Sequence, residues 1–183
     1  MLPFLLEIGT EEIPDWMIPG ALEHLEKLLT ELLAKHRLSH EVLELDATPR
    51  RLVVRSKGID PMQEATESLV TGPPVSAAFK NGEPTPAAHA FAKKMNTDVA
   101  SLRREMTPKG EYLAFTQRTE GASAASILAE ALPALILSIH FPKNMVWAGK
   151  GTSRFIRPIR WLVALLGENV LPFAIEGVRS GNR

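Results

Sequence analysis

The sequence contains no cysteine. Without thiols there is no disulfide framework, thiolate zinc site, iron–sulfur cluster or cysteine nucleophile. The absence also fits a reducing compartment, and a cytoplasmic location is expected. No secretory leader is expected either. Leu2–Leu6 is apolar, but Glu7, Glu11 and Glu12 follow at once, whereas a leader needs a basic start and a longer apolar run. Long hydrophobic runs are also missing. The stretches Leu132–Ile139 and Trp161–Leu166 are far too short to span a bilayer, so a soluble protein is expected. Internal repeats and low-complexity linkers are absent, and the formal net charge is zero.

What is present is the make-up of a globular protein. The 183 residues are 45% hydrophobic and 23% charged, enough for one sizeable core or for one domain and the start of a second. The zero net charge hides an uneven distribution. Residues 1–46 carry Glu7, Glu11, Glu12, Asp15, Glu23, Glu26, Glu31, Glu41, Glu44 and Asp46 against Lys27, Lys35 and Arg37. Residues 141–183 carry Lys143, Lys150, Arg154, Arg157, Arg160, Arg179 and Arg183 against Glu168 and Glu176. Either one surface attracts polyanions, or the two ends pair with each other in the fold.

Leu2–Ile8 reads as a central strand, apolar on both faces. After the turn Gly9–Asp15, Leu22, Leu25, Leu29, Leu32 and Leu33 repeat at helical spacing to about His36, with Pro19 in the first turn. Val42–Ala47 and Leu52–Ile59 read as two strands joined through Thr48-Pro49; Leu52 and Val54 share one face of the second, Arg51, Arg55 and Lys57 the other. Asp60–Glu83 reads as irregular, with turns at Gly72-Pro73-Pro74 and Asn81-Gly82. Thr85 and Pro86 open a helix to about Met95, and Thr97 caps a short one to about Glu105. Lys109-Gly110 turns into a strand, Glu111–Arg118. Ser123 opens an apolar helix that Pro133 should bend or shorten. Pro158 begins a helix with Ile159, Leu162, Val163 and Leu166 on one side, stopped by Gly167, and Val170–Val178 is a last strand. Without regular βαβ units, the fold class is α+β: a mixed or antiparallel sheet packed with helices.

Chemistry-bearing patterns are sparse. Glu11 and Glu12 point to opposite faces in extended chain and suit the dipole of the following helix. Of the histidines (His24, His36, His40, His89, His140), only His36 and His40 have helical spacing, and no carboxylate joins them as a metal ligand. Gly149-Lys150-Gly151-Thr152 fails the phosphate-loop pattern, because Gly151 separates the lysine from the threonine and no earlier glycine is placed correctly. No Gly-x-Ser-x-Gly elbow occurs. The basic constellations remain. Arg50-Arg51 sits where two strands join, and Arg154, Arg157 and Arg160 recur every three residues around the expected helix start, where a helix N-terminus would add to phosphate binding. Trp147 and Trp161 could stack on bases, although a core role suits Trp161 better.

Ordered blocks run along the whole chain: Leu5-Leu6-Glu7-Ile8-Gly9-Thr10-Glu11-Glu12-Ile13-Pro14, Thr48-Pro49-Arg50-Arg51-Leu52, Thr71-Gly72-Pro73, Pro84-Thr85 with Ala88 and Phe91-Ala92, and Lys109-Gly110-Glu111-Tyr112-Leu113. Phe141-Pro142-Lys143 with Met145 and Trp147, the run Arg154–Gly167, and Gly177-Val178 with Ser180-Gly181 complete the series. In these blocks the chain resembles the β subunit of bacterial two-subunit glycyl-tRNA synthetase. A departure from the pattern is Ala148-Gly149 after Trp147.

The resemblance implies that residues 1–183 form the N-terminal α+β region of a longer β subunit, with 141–183 leading into or belonging to a following domain. It implies a hetero-oligomer with a separate α subunit, which binds ATP (with magnesium) and glycine and forms glycyl adenylate. The β subunit is implicated in binding tRNA(Gly), and its anticodon-binding and HD-like regions belong to later sequence. A looser likeness to a module beside the editing site of phenylalanyl-tRNA synthetase raises a hydrolytic alternative, and a structural, α-binding module is another. No catalytic residue, cofactor ligand or metal ligand is assigned in this chain. Arg50, Arg51, Lys143, Arg154, Arg157 and Arg160 are the expected tRNA-contacting residues, chosen on charge and placement.

Overall fold

The computed structural model describes residues 1–80, 82–108, 110–146 and 153–183. Asn81, Lys109, Trp147 and the glycine-rich connector Gly149-Lys150-Gly151 with Thr152, all singled out above, lie outside the described residues. The chain divides into two compact units, one made of Met1–Glu64 with Ala122–Arg183 and the other of Ala65–Gly121.

The larger unit opens with strand β1 (Leu2–Thr10), a 3-10 turn at Asp15–Met17, helix α1 (Ile18–Lys35), and strands β2 (Leu43–Thr48) and β3 (Arg51–Ile59), close to expectation. The smaller unit holds β4 (Thr66–Pro74), α2 (Val75–Ala78), β5 (Phe79–Lys80), β6 (Glu83–Pro84), α3 (Pro86–Lys94), a 3-10 turn at Val99–Ser101, β7 (Arg103–Thr107) and β8 (Gly110–Thr119). The larger unit resumes with α4 (Ala124–Leu137), the short pair β9 (Met145–Val146) and β10 (Arg154–Phe155), then β11 (Ile159–Leu166), β12 (Asn169–Val170), β13 (Ala174–Ile175) and β14 (Val178–Gly181).

The sheet of the larger unit runs β13-β14-β11-β1-β3-β2, with β12 also on β11. Antiparallel pairs join β1 to both β3 and β11, while β11 and β14 are parallel. The fold class is thus the expected α+β, with a mixed sheet. Phe4, Leu6, Ile8, Leu52, Val54, Leu162, Ala164 and Leu166 point to one face, where they form a single core with Leu25, Leu29 and Leu33 of α1 and Leu128, Leu132 and Ile136 of α4. On the opposite face Leu5, Glu7, Val53 and Leu165 are half-buried and Arg55 is exposed.

Several segments differ from what the sequence predicts. The residues after Pro158 form the strand β11, not a helix. Their i, i+3, i+4, i+7 spacing sits inside a nearly continuous apolar run, and a strand buried or half-buried on both faces, as Trp161 to Leu166 are, needs no polar alternation. Gly167 (φ +62) consequently turns the hairpin from β11 to β12 rather than capping a helix, a role for which positive φ serves equally well. Asp60–Glu83 is not irregular throughout: β4 occupies the edge of the smaller sheet, where Pro73 and Pro74 interrupt no inner ladder. The stretch after Thr97 makes only a 3-10 turn and then β7, which pairs along β8.

Smaller departures follow the same logic. Val170–Val178 is broken into β12, β13 and the start of β14, and Glu176 (φ +47) and Gly177 (φ +84) make the two-residue turn between β13 and β14. Ser123 caps α4 as expected, accepting the Ser126 N–H at 3.2 Å, yet α4 continues a turn beyond Pro133 to Leu137. Thr85 precedes α3, but its hydroxyl donates to the carbonyls of Ala77 and Ala78 instead of capping the helix.

In the smaller unit the sheet runs β4-β8-β7. Ala78, Ala88, Phe91 and Leu113 form its buried cluster, edged by Val70, Phe79, Met95, Val99 and Phe115. Gly72 lets the Phe91 ring lie against β4; a Cβ there would stand 2.6 Å from that ring.

Candidate functional site

Three sequence blocks far apart in the chain meet at one end of the larger sheet. The first is the end of β1 with the turn that follows it, Gly9 to Pro14. Thr10 N–H donates to the Arg50 carbonyl at 2.9 Å and Ile13 N–H to the Pro49 carbonyl at 2.6 Å, so this turn is clipped onto the turn between β2 and β3. Glu11 N–H donates to the Pro158 carbonyl at 3.2 Å, which ties in the entry to β11. Thr10 is fully buried and Ile13 nearly so, which places the clip at the edge of the core.

Side chains reinforce these contacts. Trp161, in β11, lies across Gly9, where an added Cβ would stand 2.0 Å from the indole. Its N–H donates to Glu7 Oε1 at 2.6 Å, and Arg51 Nη1 reaches Glu7 Oε2 at 3.3 Å. One carboxylate thus receives two donors on the sheet face away from the helices, and it is only 16% exposed. Arg160 pairs with Glu11, and Arg157 Nε donates to the Glu12 carbonyl at 2.9 Å while its Nη1 lies 3.9 Å from Met145 Sδ. Farther along the same sheet, Arg55 pairs with Glu44 at 2.9 Å and Asp46 at 2.7 Å.

The six basic residues selected from sequence therefore divide into two sets. Arg51, Arg157 and Arg160 are engaged by Glu7, the Glu12 carbonyl and Glu11. Arg50, Lys143 and Arg154 are exposed and make no ion pair among the described residues. Arg154 lies in β10 opposite Val146, and the next residue, Phe155, packs edge-on against Phe141. The helix N-terminus invoked for Arg154, Arg157 and Arg160 does not exist, since the segment is strand and turn; only their own charge remains. Trp161 is half-buried and hydrogen-bonded within the protein, but it lies on a strand, on the sheet face away from the helices and outside the core that the sequence suggested for it.

Sequence reasoning did not single out Glu7 or Gly9, and it gave Glu11 to the helix dipole when it binds Arg160. The signal for Glu7 was a lone acid inside an apolar strand, which needs a donor if it is partly buried. His36 ends α1, whereas His40 bridges to Ile59. Among the described residues no group of three or more His, Cys, Asp or Glu is placed to hold a metal, and no helix is long and apolar enough to cross a membrane.

The sequence relationships agree with the blocks that meet here. Residues 4–183 match the family model described as glycyl-tRNA synthetase beta subunit. Curated relatives, each named glycine–tRNA ligase beta subunit, include one from Acidobacterium capsulatum, 47% identical over 185 residues that cover 100% of this chain. A relative from Nitratidesulfovibrio vulgaris (strain Miyazaki F) is 43% identical over 99% of the chain, and one from Geobacter sulfurreducens 43% identical over 97%. The chain spans only about a quarter of each relative's length, 26% in all three. It belongs to the glycyl-tRNA synthetase beta subunit family.

Proposed function

We propose that this chain is the N-terminal α+β region of a longer glycyl-tRNA synthetase β subunit, and that it supports ATP-dependent attachment of glycine to tRNA(Gly) by contacting the tRNA. The observation that carries this reading is the division of the basic residues. The nearby acids Glu7 and Glu11 are already engaged by Arg51 and Arg160, while Arg50, Lys143 and Arg154 stay exposed without a carboxylate partner among the described residues. Cations left uncompensated on a surface attract phosphate. Activation of glycine with ATP and magnesium belongs, on this reading, to the α subunit of a cytoplasmic hetero-oligomer. The β region positions RNA.

The test uses the full-length β subunit assembled with its α partner. Arg50, Lys143 and Arg154 are changed together to Ala, and tRNA(Gly) affinity is measured across a salt series. Removing one cation that neutralises a phosphate lowers the salt slope by about 0.7–0.9. The triple variant is expected to bind more weakly and to show a slope smaller by about two units. Unchanged affinity and slope would remove the RNA reading.

A second reading, assembly with the α subunit, draws on a different observation. Trp16 is 65% exposed, Val146 51% and Met145 40%, and large apolar and aromatic side chains of this kind are common at the centres of protein interfaces. Under that reading Trp16→Ala weakens α–β association, as followed by sedimentation, and leaves the salt dependence of tRNA binding unaltered.

A further inference from the structure

The turn between β2 and β3 has an unusual hydrogen-bond account. Its tip is Pro49-Arg50, both exposed. Surface turns generally leave backbone groups to water. Here every backbone polar group of the two residues is engaged inside the protein. Pro49 has no N–H, its carbonyl accepts from Ile13, the Arg50 carbonyl accepts from Thr10, and Arg50 N–H donates to Thr48 Oγ1 at 3.4 Å. The two donors from the Gly9–Pro14 turn belong to buried residues, so water does not compete readily for these bonds. The backbone under Arg50 is thereby held, while its guanidinium projects outward with no carboxylate partner among the described residues.

Two of the acids near Arg50 are already engaged. Glu7 binds Arg51 and the Trp161 N–H, and Glu11 binds Arg160. Glu12 and Asp15, in the same loop, are exposed and make no ion pair among the described residues, so this end of the sheet is no broad basic groove. Such a surface suits one localised contact rather than a long electrostatic track. A guanidinium with five donors on a fixed backbone is suited to a single phosphate, and holding its backbone in advance reduces what ordering costs on binding.

We infer that Arg50 is a pre-positioned anchor for one RNA backbone phosphate, and that Arg160, through Glu11, is a positioning residue that holds the clip beneath it. The inference rests on the RNA reading proposed above and deepens it to one residue and one phosphate. Lys143 and Arg154, beside and on the short β9–β10 pair, show no such clip from a neighbouring turn among the described residues and supply more general attraction.

The assembled full-length enzyme tests this with tRNA(Gly) and four variants: R50A, R50K, R160Q and the pair K143A/R154A. R50A is expected to weaken binding about three- to tenfold and to lower the salt slope by about one. R50K is expected to keep the slope but bind less tightly than the parent, since a point charge replaces the fork. R160Q is expected to weaken binding when Arg50 is present and to add nothing in the R50A background, a non-additivity that a purely structural role would not produce. The Arg50 side chain takes no part in the clip, so R50A should unfold at the same urea concentration as the parent. If R50A leaves affinity and slope unchanged while K143A/R154A lowers both, the anchor is overturned and the RNA reading stands. If neither variant changes them, both fall. If R50A disrupts α–β assembly without altering the slope, Arg50 meets a protein carboxylate and the inference is equally overturned.

Discussion

The two units of this chain use the same kinds of element for different ends. In the larger unit, β1 finds its sheet partners in β3 and in β11 near the other end of the chain, and two helices close one face over a continuous apolar core. The smaller unit is built from one contiguous segment, with β4 and β7 both pairing along β8, and among the described residues its cluster buries Ala78, Ala88, Phe91 and Leu113. Apolar burial is the main favourable contribution to folding, so a unit with this little of it opens more readily. The lesson is where precision can reside: closely set hydrogen bonds around the Gly9–Pro14 turn sit on the large core.

That contrast can be broken by substitution. Leu6→Ala removes a fully buried side chain from the larger core and should cost about 2–5 kcal/mol, read as a lower urea midpoint. Leu113→Ala should instead abolish hydrogen-exchange protection within residues 65–121 while leaving β1, β3 and β11 protected. Uniform loss of protection across both units would refute the independence of the smaller one.

Smaller effects sharpen it. Gly9→Ala drives a methyl into the Trp161 ring and should destabilise the larger unit by about 1–3 kcal/mol, with a shift in tryptophan fluorescence before unfolding. Trp161→Phe removes one donor to Glu7 and should cost about 0.5–1.5 kcal/mol, to be measured by the same denaturation. The smallest change is expected from Arg55→Gln, whose pairs with Glu44 and Asp46 are solvent-exposed: about 0–1 kcal/mol, diminishing with added salt.

Much of the architecture was legible beforehand. β1, α1, β2, β3, α3, β8 and α4 all carry local signals that agree with their tertiary roles: apolar spacing, a proline at a helix start, or a turn between alternating strands. Legibility failed where two structures share one pattern. The Ile159–Leu166 run suits either a buried strand or an apolar helix, and Gly167 either a helix cap or a hairpin turn. Of the candidate site, the basic residues were visible as residues. Their division into engaged and exposed sets was not, because it depends on which acids lie across the sheet.

By itself the sequence determined an α+β chain without thiol chemistry, with an acidic beginning, a basic end, and ordered blocks that mark its family. Only the tertiary structure decided that the segment carrying Arg160 and Trp161 is a strand beside β1. The physical reason is that charge and hydrophobicity are properties of residues, whereas compensation is a property of distance. Glu7 and Glu11 engage Arg51 and Arg160 because antiparallel register brings the ends of β1, β3 and β11 together, and Arg50 is left exposed on a turn whose backbone those same strands hold in place.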